Sequence, residues 1–263
     1  MNMNILLQSF PVFLLIFCRI TSFFVVAPIF STRGVPNIFK VGISGFLALV
    51  VYLTYGTHQQ VPTDVAYVLL VGREVLIGLL LGFTAYLFMT AIQTAGSFID
   101  LQVGFGMASV FDPMTGASTP LTGNFKFAIA VLFFLSINGH HHLLNAILYS
   151  YDWVPLTNDF FVKLYGGSVT EFLVRSFAES FMLAFQIAAP IVVATFLTDV
   201  GLGFLAKTAP QFNIFVIGVP LKIIVGLFML LLLMPSFAFI FERLFSVMFE
   251  SMRNLLDIMG NRP

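Results

Sequence analysis

Long apolar runs, separated by short polar turns, limit how this chain can fold more than any other feature of its sequence. A helix needs about 20 apolar residues to cross the hydrocarbon core of a bilayer, and most of these runs are that long. Charged residues make up only 9% of the chain, whereas soluble domains contain about 25%. The sequence therefore predicts an all-α integral membrane protein. The runs lie at residues 5–30, 41–55, 65–99, 125–151, 171–198 and 213–241.

Several charged residues lie inside the apolar runs. A charge in the hydrocarbon core costs several kcal/mol unless it is paired, so Arg19 is expected to face protein and to form a structural ion pair. Arg73 and Glu74 are adjacent, and neighbouring residues point about 100° apart on a helix. Each of the two is therefore expected to find its partner on another helix or subunit. Lys222 follows Pro220 closely and is a further candidate for a contact with another subunit.

Two spacings permit local helix contacts. Gly78 and Gly82 form a GxxxG motif, which permits two helix backbones to approach closely. Arg175 and Glu179 are four residues apart, a spacing that permits an ion pair along one helix.

The loop at residues 103–124 combines glycines, prolines and small residues with bulky apolar side chains. In a membrane protein, non-helical backbone is tolerated only where protein or a water-filled cavity surrounds it. Two interpretations stay open at this point. The loop either lines or plugs a passage, or it is a connection packed on helix ends. The bulky side chains are Phe105, Met107, Phe111 and Met114.

The last segment, residues 242–263, has a different pattern. Apolar residues recur at helical spacing from Leu244 to Met259, and charged residues fill the other side. This pattern is typical of an amphipathic helix that lies on the membrane or docks on a partner. The distribution of Lys and Arg among the turns favours a cytoplasmic C-terminus.

Other function classes lack their signatures. The sequence contains no Walker loop, no GxGxxG that opens a helix and no CxxC pair. His140, His141 and His142 are consecutive, whereas helical metal ligands need a spacing of four residues. Lys plus Arg and Asp plus Glu balance at 12 each, so no field attracts nucleic acid. We expect neither an enzyme nor a cofactor or metal site.

A secondary transporter is the alternative function. It would use Arg19 and the histidines 140–142 to bind a small substrate. Such a protein would work as a lone chain or homodimer, and its class often contains inverted repeats. No clear repeat is visible in this sequence.

Four stretches, in order over nearly the whole chain, resemble the FliR family of flagellar type III export-gate proteins and their virulence-secretion relatives. They are FCRITSFFVVAPIFSTRGVPNIFKVG (17–42), GFGMASVFDPMTGASTPLTGNF (104–125), FFLSINGHHHLL (133–144) with YSYDWVP (149–155), and NIFVIGVPLKIIVGL (213–227).

The resemblance implies a subunit of a closed helical assembly with FliP and FliQ in the inner membrane, at the centre of the flagellar basal body. Broken helical hairpins would form a single membrane domain over 1–241, with a FliP-like N-terminal part and a FliQ-like hairpin near 171–241. Unfolded flagellar polypeptides would pass through its channel. FlhB would lie at the cytoplasmic mouth, among other export-apparatus membrane proteins and membrane lipid.

The resemblance also implies site residues. A plug loop would cover 104–121 and close the resting channel, and charged residues within the runs would contact other subunits. The seal would consist of Phe105, Met107, Phe111 and Met114, the hinges would be Gly104, Gly106 and Gly116, and the inter-subunit contacts would be Arg19, Arg73, Glu74, Glu179 and Lys222.

Overall fold

The computed structural model describes the backbone of residues 3–32, 34–59, 61–62, 65–105, 120–156, 160–211 and 213–260. These residues form helices and turns, and no strand occurs among them. The prediction of an all-α chain is confirmed. The helices are α1 (Met3–Val26), α2 (Asn37–Thr54), α3 (Ala66–Val103), α4 (Leu121–Ser136), α5 (Gly139–Trp153), α6 (Phe160–Tyr165), α7 (Ser168–Thr208), α8 (Ile214–Leu233) and α9 (Phe237–Met259).

The described helices are long and apolar enough for a membrane protein. By length and composition, 4 stretches among the described residues are able to cross a bilayer: α2, α3, α7 and Val216–Met259. The count rises to 5 if α4 and α5 together form one broken span. The first apolar run forms α1, whose apolar part, Phe10–Val26, is shorter than these. The membrane character predicted from the apolar runs is confirmed.

Two of the apolar runs are broken by local backbone chemistry. Between α4 and α5, Asn138 has a φ of 57°, in the left-handed region that asparagine tolerates better than most residues. Between α8 and α9, a short 3-10 turn at Met234–Ser236 contains Pro235, whose ring blocks a regular helical hydrogen bond. The predicted amphipathic segment continues α9, which begins at Phe237. The predicted boundary between 241 and 242 stays a prediction.

The chain divides into two compact units. The first consists of Met1–Leu87, Asn138–Phe177 and Ser246–Pro263, and the second of Phe88–Ile137 and Ala178–Phe245. In the first unit, the core contains Phe23, Phe24 and Leu255, each fully buried. In the second, aromatic rings of α4 and α9 pack together, and the centroids of Phe134 and Phe245 lie 5.0 Å apart.

Glycines allow the closest helix contacts in both units. A Cβ at Gly78 would lie 2.1 Å from the carbonyl oxygen of Arg19, and one at Gly82 would lie 2.9 Å from that of Phe23. The close approach predicted from the GxxxG motif is therefore present between α3 and α1. In the second unit, a Cβ at Gly96 would lie 2.0 Å from Cα of Gly123, so α3 and α4 cross with their backbones in contact.

Gly78→Ala should destabilise the chain because the added methyl group forces α1 away from α3. Overpacking of this kind costs about 1–3 kcal/mol, which should lower the thermal unfolding midpoint of the full chain in detergent. The matched control is Gly72→Ala on the same helix, since a Cβ there meets nothing within 4 Å. Circular dichroism of both variants measures the effect. Equal midpoints for the two variants would show that the α1–α3 contact does not limit stability.

Candidate functional site

A buried ion pair joins α1 to α3 in the first unit. Arg19 Nε donates to Glu74 Oε2 at 2.6 Å, and Arg19 Nη2 donates to Glu74 Oε1 at 3.1 Å. Both side chains are 0% exposed. Two parallel N–H···O bonds of this kind fix both distance and orientation. The structural ion pair expected for Arg19 is confirmed.

The remaining N–H donors of Arg19 bind α5 and the residue that follows it. Nη1 donates to the carbonyl and hydroxyl oxygens of Ser150, both at 3.0 Å, and Nη2 donates to the carbonyl of Val154 at 2.9 Å. The guanidinium carbon lies 4.2 Å from the ring centroid of Tyr151, whose hydroxyl donates to the carbonyl of Ile16 at 3.1 Å. Every N–H of an arginine is thereby used. The network fixes α1, α3 and α5 to one another.

Arg73 has partners different from those of its neighbour. Its Nη1 and Nη2 donate to the carbonyls of Leu156 and Pro155, and Nη1 lies 3.8 Å from Glu74 Oε1. Arg73 and Glu74 thus find their main partners on other segments, as their adjacent positions on one helix predict. These partners belong to the chain itself. Contacts of Arg19, Arg73 and Glu74 with other subunits stay a prediction.

In the second unit, a carboxylate joins the two sides of the glycine-rich loop. Asp100, near the end of α3, is almost fully buried. Its two oxygens accept from the backbone N–H of Thr122 at 3.3 and 3.2 Å, and Oδ1 accepts from the Thr122 hydroxyl at 2.6 Å. A carboxylate at the N-terminus of α4 satisfies free N–H groups and complements the helix dipole. The ends of the loop are therefore held together from within the chain.

A second polar contact lies beside the first, at the end of α3. Asp199 Oδ2 accepts from Gln102 Nε2 at 3.0 Å and lies 3.0 Å from Lys222 Nζ. The side chains of Lys222 and Asp199 are 20% and 39% exposed. Lys222 thus has a partner within the chain, and part of its surface stays open. We call Asp100, Gln102, Thr122, Asp199 and Lys222 the loop base.

Helix α3 ends abruptly just before position 106. Gly104 has a φ of 105°, a conformation that favours glycine, and its N–H donates to the carbonyl of Asp100 at 3.1 Å. Phe105 follows in a partly exposed turn. The other predicted plug and hinge residues lie outside the described residues. They are Gly106, Met107, Phe111, Met114 and Gly116.

The spacing of Arg175 and Glu179 permits an ion pair, but Arg175 pairs with another residue of the helix. Arg175 donates to Glu171 at 2.6 Å and not to Glu179. Along a helix, an acidic residue four positions before a basic one is the better orientation, and Glu171 has that position. Glu179 is exposed on α7.

The side chains of the three consecutive histidines have different neighbours. The rings of His140 and His141 lie 4.3 Å apart, whereas His142 faces Phe249 at 5.1 Å. Among the described residues, no group of three or more His, Cys, Asp or Glu side chains is placed to hold a metal ion.

Sequence reasoning missed most of the loop base and Lys126. Lys126 of α4 is fully buried, and its Nζ lies 5.0 Å from the ring centroid of Phe237. Its Nζ has no hydrogen-bond partner among the described residues. Asp100 and Lys126 flank the loop inside or next to apolar runs, and an ionisable residue at membrane depth is by default a candidate functional residue. This rule, applied to the sequence alone, identifies both Asp100 and Lys126 as candidates.

Comparison with known proteins gives a consistent result over nearly the whole chain. The model of the family "Bacterial export proteins, family 1" matches residues 10–248. The flagellar biosynthetic protein FliR of Bacillus subtilis (strain 168) is 43% identical over 98% of this chain and 99% of its own length. FliR of Escherichia coli (strain K12) is 31% identical over 93% and 91%.

A virulence protein matches a smaller part of the chain. The Yop proteins translocation protein T of Yersinia pestis is 31% identical over 78% of each sequence. The names of these relatives refer to flagellar biosynthesis, export or translocation, and none of them denotes an enzyme. Since the family model covers most of the sequence and the relatives align nearly end to end, this chain belongs to the FliR family of bacterial export proteins.

Proposed function

We propose that this chain is the FliR-like subunit of a flagellar type III export gate in the bacterial inner membrane. The observation that carries the proposal is the 43% identity to a flagellar FliR over 98% of the chain. The virulence relative is less similar and aligns over a smaller share of the chain, 78%. This difference favours a flagellum over an injectisome. In the basal body, the chain completes an assembly with FliP and FliQ, its C-terminus is cytoplasmic, and FlhB lies at the channel mouth.

The apolar surface of the second unit supports an assembly of several subunits. Phe181 and Phe185 of α7, and Phe228 and Leu231 of α8, are each at least half exposed in the single chain. Aromatic and aliphatic faces of this kind suit packing against further membrane helices as well as lipid. We assign them to FliQ-like neighbours, with exposed Glu179 and the open side of Lys222 as the polar contacts.

The loop base supports the plug hypothesis. Asp100 and Thr122 join the residues on either side of the loop, and Gly104 supplies a sharp turn at its start. A loop with fixed ends is able to leave a channel without releasing the helices that carry it. The apolar side chains of Phe105, Met107, Phe111 and Met114 then form the seal of the resting channel, and Gly106 and Gly116 act with Gly104 as hinges.

The alternative function, a secondary transporter, requires Arg19 to bind a substrate, and the structure does not support that role. All N–H groups of Arg19 are engaged by Glu74, Ser150 and Val154, so none is left for a substrate.

Deleting residues 106–117 should raise the resting ion conductance of the assembled gate, because the apolar seal is removed while the loop base remains. Conductance is measured in liposomes that contain the complex with FliP and FliQ. Replacement of the same residues by an equally long Gly/Ser segment is the matched control for the apolar side chains, and it should leak as well. Unchanged conductance in an assembled deletion variant would exclude the loop as the seal.

Lys222→Ala should reduce the amount of FliP and FliQ that co-purifies with the chain by about fivefold, the equivalent of about 1 kcal/mol for a partly exposed ion contact. The thermal midpoint of the isolated chain should stay nearly unchanged. Lys207→Ala is the control, since Lys207 is exposed in the same unit. If Lys222→Ala lowers the midpoint of the isolated chain and leaves co-purification intact, Lys222 serves only its pair with Asp199.

A further inference from the structure

A groove of about 410 Å³ opens between α5 and the C-terminal part of α9, within the first unit. The residues that α5 contributes, such as Asn145, Tyr149 and Trp153, recur every three or four positions and so share one face of the helix. Arg253 lies on the opposite wall, which α9 forms. Both walls belong to one compact unit, so the groove is a property of the folded chain.

The polar groups at the rim of the groove are one arginine, which only donates hydrogen bonds, and two side chains that both donate and accept them. Arg253 is exposed and makes no hydrogen bond or ion pair with a described residue. The side chains of Asn145 and Tyr149 are also exposed beside it. An arginine presents a planar fork of N–H groups that matches two oxygens of a phosphate. The rim is therefore suited to an acceptor with several oxygens, such as a phosphate group.

The floor of the groove is apolar. Met252 and Leu256 are 1% and 4% exposed, and Phe249 packs against the ring of His142. A free ion would leave this floor unused, whereas the hydrocarbon of an amphiphile would cover it. The groove thus combines a phosphate-binding rim with an apolar wall.

The aromatic residues of the groove, Tyr149 and Trp153, are of the types that concentrate at the level of lipid headgroups. Trp153 is the last residue of α5, and Tyr149 precedes it by one turn. Tryptophan and tyrosine concentrate at the boundary between hydrocarbon and water, because their rings are apolar and carry one polar group. Phospholipid phosphates lie at this same boundary.

Two carboxylates on α9 influence which phosphate-containing anion is able to bind beside Arg253. Glu250 and Asp257 lie three positions before and four positions after Arg253, on the adjacent strip of the helix. They repel a doubly charged inorganic phosphate more strongly than a phosphodiester, which carries a single negative charge. The two carboxylates therefore favour the diester over free phosphate beside Arg253.

We propose that this groove binds a membrane phospholipid, with the phosphodiester held by Arg253 and an acyl chain lying on Met252 and Leu256. The proposal goes beyond the export function and does not depend on it. A lipid bound there would fix the depth of α5 and α9 in the bilayer.

The test uses the single tryptophan of the chain, Trp153, as a reporter. The full chain is purified in dodecyl maltoside and titrated with phosphatidylglycerol whose acyl chains carry bromine, which quenches nearby tryptophan fluorescence. We expect quenching that saturates at one lipid per chain. Arg253→Gln should weaken binding by about tenfold, as expected for the loss of a charged hydrogen bond. Arg243→Gln, an exposed arginine on the same helix, should bind as the unmodified chain does.

Four outcomes would overturn the proposal. Equal quenching of Arg253→Gln and the unmodified chain would show that the groove does not hold the headgroup. Displacement of the lipid by an equal concentration of sodium phosphate would assign the rim to free phosphate. Loss of the bound lipid when FliP and FliQ are added would assign the groove to a protein contact. Ala146→Phe, which fills the groove without changing its charge, should abolish quenching; full quenching in this variant would also contradict the proposal.

Discussion

The buried pair of Arg19 and Glu74 is the interaction on which the first unit depends. Removing one partner of such a pair costs about 3–5 kcal/mol, because a buried charge remains without compensation. Arg19 also binds the carbonyl of Val154 and both oxygens of Ser150, so the same guanidinium fixes the positions of three helices. An apolar chain has many ways to pack leucine and phenylalanine. A charge with five donors is satisfied in very few arrangements.

The ion pair and the glycine contact are two parts of one joint. Helices in lipid gain little from apolar packing alone, so close backbone approach and polar contacts set their association. Gly78 lies against the carbonyl of Arg19, the residue whose side chain reaches Glu74 one turn earlier on α3. A larger residue at 78 would move α1 outwards and lengthen the hydrogen bonds of Arg19. The small residue therefore permits the charge pair, and the charge pair fixes the register of the contact.

Sequence patterns predicted local features such as helices, but they did not predict contacts between residues that are distant along the chain. Apolar runs predicted the helices, and the cost of a buried charge predicted that Arg19 is paired. The identity of the partner was not visible, because Glu74 lies 55 positions away and Ser150 lies 131 positions away. The same holds for Asp100 and Thr122, which face each other across the loop. For Arg175, both neighbours at four positions were visible, and the preferred orientation along a helix selects Glu171 over Glu179.

Two properties, burial and the presence of a hydrogen-bond or ion-pair partner, distinguish the charged residues that stabilise the fold from those that are available for another role. Arg19, Glu74 and Arg73 are buried and paired, so they contribute to the fold of the first unit. In the second unit, Lys222 and Asp199 are partly exposed, and Nζ of Lys126 is buried without a hydrogen-bond partner among the described residues. A buried ammonium group without a hydrogen bond costs free energy, and the Phe237 ring 5.0 Å from Nζ offsets only part of that cost. Selection for the fold alone therefore does not account for Lys126, which lies one helical turn after Thr122 of the loop base. The second unit, which carries both ends of the loop, is the part of the chain whose charges are best explained by function.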